Sequence, residues 1–292
     1  MKNNVLIPLL FAFGKLSAQL PETDIFICDM KVKDGKYEFS DPENISHRKG
    51  YDNQPYFMPD GKSLLYVAVP DTTQADIFSY DFKSKKITAL TSTKESEYSP
   101  MLTPDGNDIS VVRVDSDNGQ RFYKFPTKDK SAATVIHGTD SIGYYCWLNP
   151  GSLAMFILGN AMTLQVLDVR KNVRTLIASD VGRCMKLSND QKKLLFVIKQ
   201  NENEWSIFEM DIATMEKKMV VKTLPGSEDY AVLKDGSLIM GSKGKLYRYD
   251  PKTGGEWNEI ADFSSGLGDF YRISVNAQGN RIAMVAFTGK KP

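Results

Sequence analysis

The chain has 292 residues, with 37 Lys and Arg against 36 Asp and Glu, 41% hydrophobic residues, two histidines and three cysteines. Near-neutrality argues against a nucleic-acid or anionic-membrane partner, which would need a basic excess on one face. The length provides an ample core without a disulfide framework.

Residues 1–18 read as a targeting segment. Lys2 gives a positive start, Val5 to Phe13 is apolar, and Ser17-Ala18 offers small residues before Gln19, predicting cleavage after Ala18. The apolar run is shorter than the ~20 residues that span a bilayer, and Phe26 and Ile27 before Cys28 do not fit a lipoprotein acylation site. Loss of the segment removes Lys2 and Lys15 and no acid, changing the net charge from +1 to −1. The expectation is a periplasmic or secreted protein without membrane insertion, in which residues 19–292 form a single domain.

The first strand reads Asp24-Ile25-Phe26-Ile27-Cys28-Asp29. Further on, one turn signal recurs at Gly61, Gly106, Gly151, Gln191, Gly236 and Gly279, clearest as Met58-Pro59-Asp60-Gly61 and Thr103-Pro104-Asp105-Gly106. Pro fixes φ and Gly accepts a positive φ, so each motif predicts a tight hairpin turn. A near-continuous apolar run follows each: Leu64 to Val69, Ile109 to Val114, Leu153 to Leu158, Leu194 to Ile198, Leu238 to Met240 and Ile282 to Phe287. Such runs fit strands covered on both faces. Third strands end at Asp81, Asp168, Asp211, Asp250 and Asp29, with Pro126 in the second repeat, and shorter fourth strands such as Ile87 to Thr91, Val173 to Ala178 and Met219 to Thr223 complete each unit.

Four strands every ~40–45 residues are the signature of a propeller blade. Five complete units cover 50–91, 97–137, 141–179, 181–224 and 227–262. The strand at Asp24 lacks an upstream partner, and its missing half appears at 269–288, so the sixth unit combines 269–288 with 24–46. The predicted fold is therefore all-β: a six-bladed β-propeller of four-stranded antiparallel blades, with the ring closed by pairing N-terminal and C-terminal strands in the last blade. Closure removes the edges an open array would expose.

The pattern Gln54-Pro55-Tyr56-Phe57-Met58-Pro59-Asp60-Gly61-Lys62-Ser63-Leu64, then Asp76-Ile77-Phe78 and Ile87-Thr88-Ala89-Leu90-Thr91, resembles the repeat of TolB-type propellers, and Ser99-Pro100-Met101-Leu102-Thr103-Pro104-Asp105-Gly106 repeats its first part. The resemblance is strong in the first two repeats and looser in the rest, and the extra N-terminal α/β domain of TolB is missing. It implies a stand-alone propeller and, by analogy, a protein partner in the bacterial envelope.

Catalytic signatures are absent: no Gly-x-Ser-x-Gly elbow, no phosphate-binding Gly-x-x-x-x-Gly-Lys and no His-Glu-x-x-His. His47 and His137 fall at or after fourth strands, away from any central site, so neither a Ser-His-Asp set nor a histidine metal centre is called for. The same shortage separates the chain from pectin-fragment lyases, whose repeat is similar but whose metal centre is histidine-rich. Asp115-Ser116-Asp117-Asn118-Gly119 has its glycine one place too early for a calcium loop and Pro126 at the twelfth position, so it reads as a polar hairpin turn. Trp147 reads as core between repeats; Trp205 and Trp257 flank outer strands and fit either role. Cys28, Cys146 and Cys184 read as small packing residues. A bridge between Cys146 and Cys184 is conceivable from their neighbouring first strands, although their offsets within the repeat differ.

Where the first strands begin, at the rim of the expected channel, stand Tyr51-Asp52, Glu97-Tyr98, Tyr144-Tyr145, Arg183, Asp229-Tyr230 and Tyr271-Arg272. Tyr and Arg are favoured on recognition surfaces because they bury area and keep a polar handle. Tyrosines wedged between blades and charges paired around a water-filled channel are the structural alternative. The leading reading is a monomeric, cofactor-free, non-enzymatic binding or scaffold propeller that recognises a protein or peptide partner at one face of the channel. Two alternatives use the same ring: a carbohydrate-active lyase or hydrolase drawing on Asp52, Glu97 and Asp229, and a small-ligand sensor binding an anion through Arg183 and Arg272.

Overall fold

The structure is a computed structural model that describes residues 20–70, 74–127, 133–138 and 141–289. The targeting segment and its cleavage point lie outside the described residues. Every helix-or-strand element among them is a β-strand. The chain enters through β1 (Thr23–Lys33), turns back in β2 (Lys36–Phe39) and meets β1 again in β3 (Glu43–Asn44). Five four-strand meanders follow: β4 (Tyr51–Phe57), β5 (Ser63–Val69), β6 (Asp76–Asp81) and β7 (Ile87–Ala89); then β8 (Ser96–Leu102), β9 (Asp108–Val114), β10 (Gln120–Pro126) and β11 (Thr134–His137). The third is β12 (Ile142–Asn149), β13 (Ser152–Ile157), β14 (Thr163–Asp168) and β15 (Val173–Ser179). The fourth is β16 (Val181–Leu187), β17 (Lys193–Lys199), β18 (Trp205–Asp211) and β19 (Lys217–Lys222). The fifth is β20 (Tyr230–Val232), β21 (Leu238–Ser242), β22 (Lys245–Tyr249) and β23 (Asn258–Asp262), before the closing pair β24 (Phe270–Val275) and β25 (Arg281–Phe287).

The second to fifth meanders are each a separate four-stranded antiparallel sheet. The remaining nine strands form one sheet in the order β24-β25-β1-β4-β5-β6-β7, with β2 and β3 both pairing β1. Within it, β1 runs antiparallel to β25 from Thr23 opposite Phe287 to Asp29 opposite Arg281. One parallel rung, Thr23 beside Tyr51, joins that group to β4. The strand expected to end at Asp29 continues to Lys33, because Met30 to Lys33 pair with β2 in a hairpin whose turn is Asp34-Gly35. Its outer partner is consequently split in two, β2 beyond Asp29 and β3 opposite Phe26 and Ile27.

The hairpin turns form where the repeat places them. Gly61 and Gly106 take φ of +70° and +75° and donate N–H to Met58 (2.9 Å) and Thr103 (2.8 Å). Gln191 adopts the same turn at φ +56° with a bond to Ser188 of 2.8 Å. A non-glycine residue there is held in a region that disfavours a Cβ. The Asp115–Gly119 segment is the β9–β10 turn: Arg113 and Arg121 bond Asp115, and Arg121 also bonds Asp117.

The second strands carry the core. Leu64 to Val69 are all buried, as are Leu153 to Phe156, Leu194 to Val197 and Ile282 to Ala286. Buried apolar clusters fill the spaces between successive sheets: Leu65, Val67 and Ile77 with Ile109 and Val111; Val112 and Phe122 with Leu153 and Met155. Further clusters join Phe156 to Leu194, Val197 to Met240, Ile239 to Met284, and Val285 with Ile25 to Leu64 and Tyr66. Stacking sheet on sheet explains why these runs do not alternate: both faces of each strand are covered. Trp147 sits between the second and third meanders, its Nε1 donating to Ser110 Oγ at 3.0 Å. Cys28, Cys146 and Cys184 are free and buried, so the conceivable Cys146–Cys184 bridge is not formed. Burial pushes their thiols up to about 12, 11 and 12.

Candidate binding site

The first strands β4 and β8 lie side by side, as do β12, β16 and β20, and β24 packs against both β20 and β4. A cavity of about 110 Å³ opens among them. Gln54 and Pro55 of β4, Ser99 and Pro100 of β8, Tyr144 of β12, Arg183 and Lys186 of β16, Asp229 at the entry to β20, and Arg272 of β24 all line it.

Two equivalent bulges shape one wall. Gln54 and Ser99 both take φ of +55°, each before a proline, and the register of β4 and β8 shifts there. A bulge adds a residue, bends its strand and re-aims side chains. The Ser99 N–H donates to Gln54 Oε1 at 2.6 Å, and the Gln54 N–H to Asn53 Oδ1 at 2.8 Å, so each strained backbone position has a polar anchor.

The opposite wall is an ionic network. Arg272 is buried; its Nη1 donates to Asn53 Oδ1 at 3.0 Å, its Nη2 to Tyr144 Oη at 3.2 Å, and its Nε faces Asp229 Oδ1 at 3.4 Å. Arg183 pairs with Asp229 and with Glu228 Oε1 at 2.8 Å, and Lys199 reaches Glu228 at 3.0 Å. Burial alone would favour a neutral Asp229, but the Arg183 and Arg272 guanidiniums overcome it and hold the carboxyl below the usual range. Tyr271 stacks on Phe287 with centroids 4.9 Å apart, accepts a bond from the Asn53 amide and has Arg183 over its ring at 5.9 Å. Burial together with Tyr271 and Tyr144 pushes the Tyr51 hydroxyl well above its ordinary pKa.

Of the residues singled out in the sequence, Tyr144, Tyr145, Arg183, Asp229 and Arg272 line the cavity. Tyr51, Tyr98 and Tyr271 stand beside it, within electrostatic reach of Tyr144. Three do not face it. Asp52 is buried beside Arg48, Glu97 is buried beside Thr93, and Tyr230 is buried with Cys184, whose Sγ accepts its N–H at 3.4 Å. Tyr145 touches the cavity but is anchored behind it, donating to Ser99 O at 2.8 Å, with Ser110 Oγ at 2.9 Å. Along a regular strand adjacent residues point to opposite faces, so Glu97 is buried while Tyr98 stands beside the cavity; where the register shifts, as before Tyr144, both members of Tyr144-Tyr145 reach it. Sequence reasoning missed Asn53, Gln54, Pro55, Ser99, Pro100, Lys186 and Glu228. The recurring Gln-Pro and Ser-Pro dipeptides were the available signal for the bulged wall.

Asp229 is thus the only one of the three candidate carboxylates at the cavity, and it is ion-paired. Among the described residues no group of three or more His, Cys, Asp or Glu side chains is placed to hold a metal ion, and no helix is long and apolar enough to cross a membrane.

No family model matches the sequence, and no curated protein matches it. Solved structures do match. TolB from Acinetobacter baumannii superposes with a TM-score of 0.62 at 13% identity, covering 92% of this chain and 65% of that one, so this chain spans under two thirds of that protein. A protein described as putative TolB from Agrobacterium tumefaciens gives a TM-score of 0.71 at 11% identity, covering 92% and 99%. An oligogalacturonate lyase in complex with manganese gives 0.60 at 14%, covering 87% and 83%. The fold is that of TolB-type β-propellers. At these identities the likeness concerns the fold alone, since one propeller fold hosts many functions.

Proposed function

We propose that this chain is an exported, non-enzymatic binding propeller of six blades. In this reading β24, β25 and β1, with β2 and β3 outside them, make the last blade, and the pairing of β1 with β25 closes the ring. Support comes from the clusters between successive sheets and from β24 packing on both β20 and β4. The export signal read in residues 1–18 supports an envelope or extracellular location, where the chain would act as a monomer.

The observation that carries the reading is the cavity to which all six first strands, or the segments entering them, contribute. Its charged lining is Arg183, Lys186 and Arg272 against Asp229 alone, with Lys199 and Glu228 behind. Tyr144 and the bulged prolines add flat apolar surface, and the Arg–Asp–Tyr network keeps the walls preorganised. Such a mouth fits a segment of a protein or peptide partner that brings a carboxylate to Lys186. The carbohydrate-active alternative needs two carboxylates facing each other, whereas Asp52 and Glu97 lie away from the cavity. The small-anion alternative would use arginines already bonded to Asp229, Glu228, Asn53 and Tyr144.

The test is capture from envelope extract, read by mass spectrometry, with the wild type and Lys186→Glu compared at equal thermal stability. Loss of the captured partner in the variant supports the reading; undiminished capture rejects this face.

A further inference from the structure

Asp52 and Glu97 occupy the same place in consecutive repeats, 45 residues apart, and the groups around them correspond. Ser46 and Thr91 accept the N–H of Ile25 (3.1 Å) and Ile77 (2.8 Å), and face Asp24 (2.9 Å) and Asp76 (3.4 Å). Four residues before each carboxylate the copies diverge: Arg48 pairs with Asp52, whereas Thr93 bonds Glu97. Both acidic residues are fully buried, and Asp52 Oδ2 and Glu97 Oε2 have no partner.

The Glu97 site is built for an acid that keeps its proton. Its one short partner is the Thr93 hydroxyl, whose single hydrogen also faces Glu95 O at 3.1 Å. If Glu97 carries a proton and donates it to Thr93 Oγ1, Thr93 is free to donate to Glu95, and both acceptors are served. If Glu97 is ionised, its Oε1 and Glu95 O compete for the single Thr93 hydrogen in a fully buried site where no ion pair is formed among the described residues. The surrounding groups do not offset burial: the Thr91 hydroxyl and Arg113 favour the ionised form, but Thr91 also faces Asp76 at 3.4 Å. β9 contributes Arg113, which is turned to Asp115 at 2.7 Å and lies over the Tyr123 ring at 3.6 Å. β6 contributes the anion Asp76, β5 has no charged residue, and β4 brings Tyr51 and Asp52, the latter held by Arg48. Burial pushes the Glu97 carboxyl up to about 7, against the hydrogen bonds from Thr93 and Thr91. Burial likewise pushes Asp52 up to about 6, opposed by Arg48.

We infer that Glu97 is a proton-operated latch on the 91–97 segment that leads from the first meander into β8, closed while the carboxyl is protonated and loosened when it ionises. Arg48 and Asp52 form the ion-paired counterpart of this latch in the preceding linker. The linker is tied down by Glu97 N–H to Ala75 O (2.8 Å) and Ala75 N–H to Ser96 Oγ (3.2 Å). Its next residues are Tyr98 and Ser99, the latter bonded to Gln54 in the cavity wall, so the latch bears on the mouth.

The sign follows from linkage. Glu97 holds its proton more tightly folded than unfolded, so the stability it contributes is complete below the unfolded value near 4.3 and is lost as pH rises through about 7. The experiment is thermal melting from pH 5 to 9 with hydrogen exchange of the 91–97 amides, corrected for intrinsic rates, in the wild type and Glu97→Gln. Glutamine supplies a permanent donor to Thr93. The wild type should lose on the order of 5 °C between pH 6 and 8.5 and exchange faster across 91–97, while the variant should lose most of both responses and melt higher at pH 8. A wild type flat across this range, or a variant retaining the full slope, overturns the inference. Should the variant fold poorly, titration of the Glu97 side-chain carboxyl ¹³C resonance in the wild type decides: an inflection between pH 6 and 8 supports the latch, and one below pH 5 refutes it.

Discussion

The backbone N–H of Ser99 is bonded to the side-chain oxygen of Gln54 at 2.6 Å, and the two residues are equivalent positions of consecutive repeats. One bulge thereby braces the next at the wall of the cavity. Gln54→Ala removes the acceptor from a partly buried N–H, at a cost of about 1–2 kcal/mol, whereas Gln54→Glu keeps an acceptor and should cost less. Urea unfolding of the two variants measures the difference; equal costs would mean that the bond does no bracing.

Asp229 neutralises two guanidiniums at once. Asp229→Ala leaves Arg183 and Arg272 facing each other in a nearly closed site, and removing one partner from such a pair typically costs about 3–5 kcal/mol. Chemical denaturation should show that loss, and the double variant Asp229→Ala, Arg272→Met should recover part of it. Absence of any recovery would show that the network is not coupled.

The same residue sets an acid limit. Its folded carboxyl lies below the unfolded value near 3.9, so its stabilisation is present above pH 4 and disappears as pH falls through the folded value. Melting temperature followed from pH 5 to 2 should fall more shallowly in Asp229→Asn than in the wild type. Glu97 and Asp52 act in the opposite sense and above pH 4, so the two regions of the profile separate.

The pairing of β1 with β25, proposed above to close the ring, predicts a long-range dependence on the N-terminal strand. Ile25 is fully buried and packs with Val285, Leu64 and Tyr66 across the seam, so Ile25→Ala should cost roughly 2–5 kcal/mol. Cutting the chain before Phe270 should leave β1 without its main partner and abolish a single cooperative transition. A truncated chain that still melts sharply at the wild-type temperature would contradict closure.

The three thiols are buried and their pKa values raised, and the thiolate is the reactive form. Native protein should resist iodoacetamide at pH 8, and all three should react after unfolding in urea, as read by intact mass.

The sequence alone determined most of the strand inventory outside the β1–β3 region, because a second strand such as Leu64–Val69 or Ile282–Phe287 is apolar along its whole length and the turn at Gly61 or Gly106 requires particular residues. It also anticipated that Asp24–Asp29 pairs with the strand at 281–287, and β1 does run against β25 over that stretch. Tertiary structure decided which rim residues reach the cavity. Facing depends on register, and the bulges at Gln54 and Ser99 shift that register by amounts the pattern does not encode. Only packing could reveal that Arg183 and Arg272 meet the same Asp229, or that Glu97 lies buried without an ion-pair partner among the described residues where Asp52 has Arg48. Such relationships depend on distances between strands that are remote in sequence, and periodicity along one strand carries no information about them.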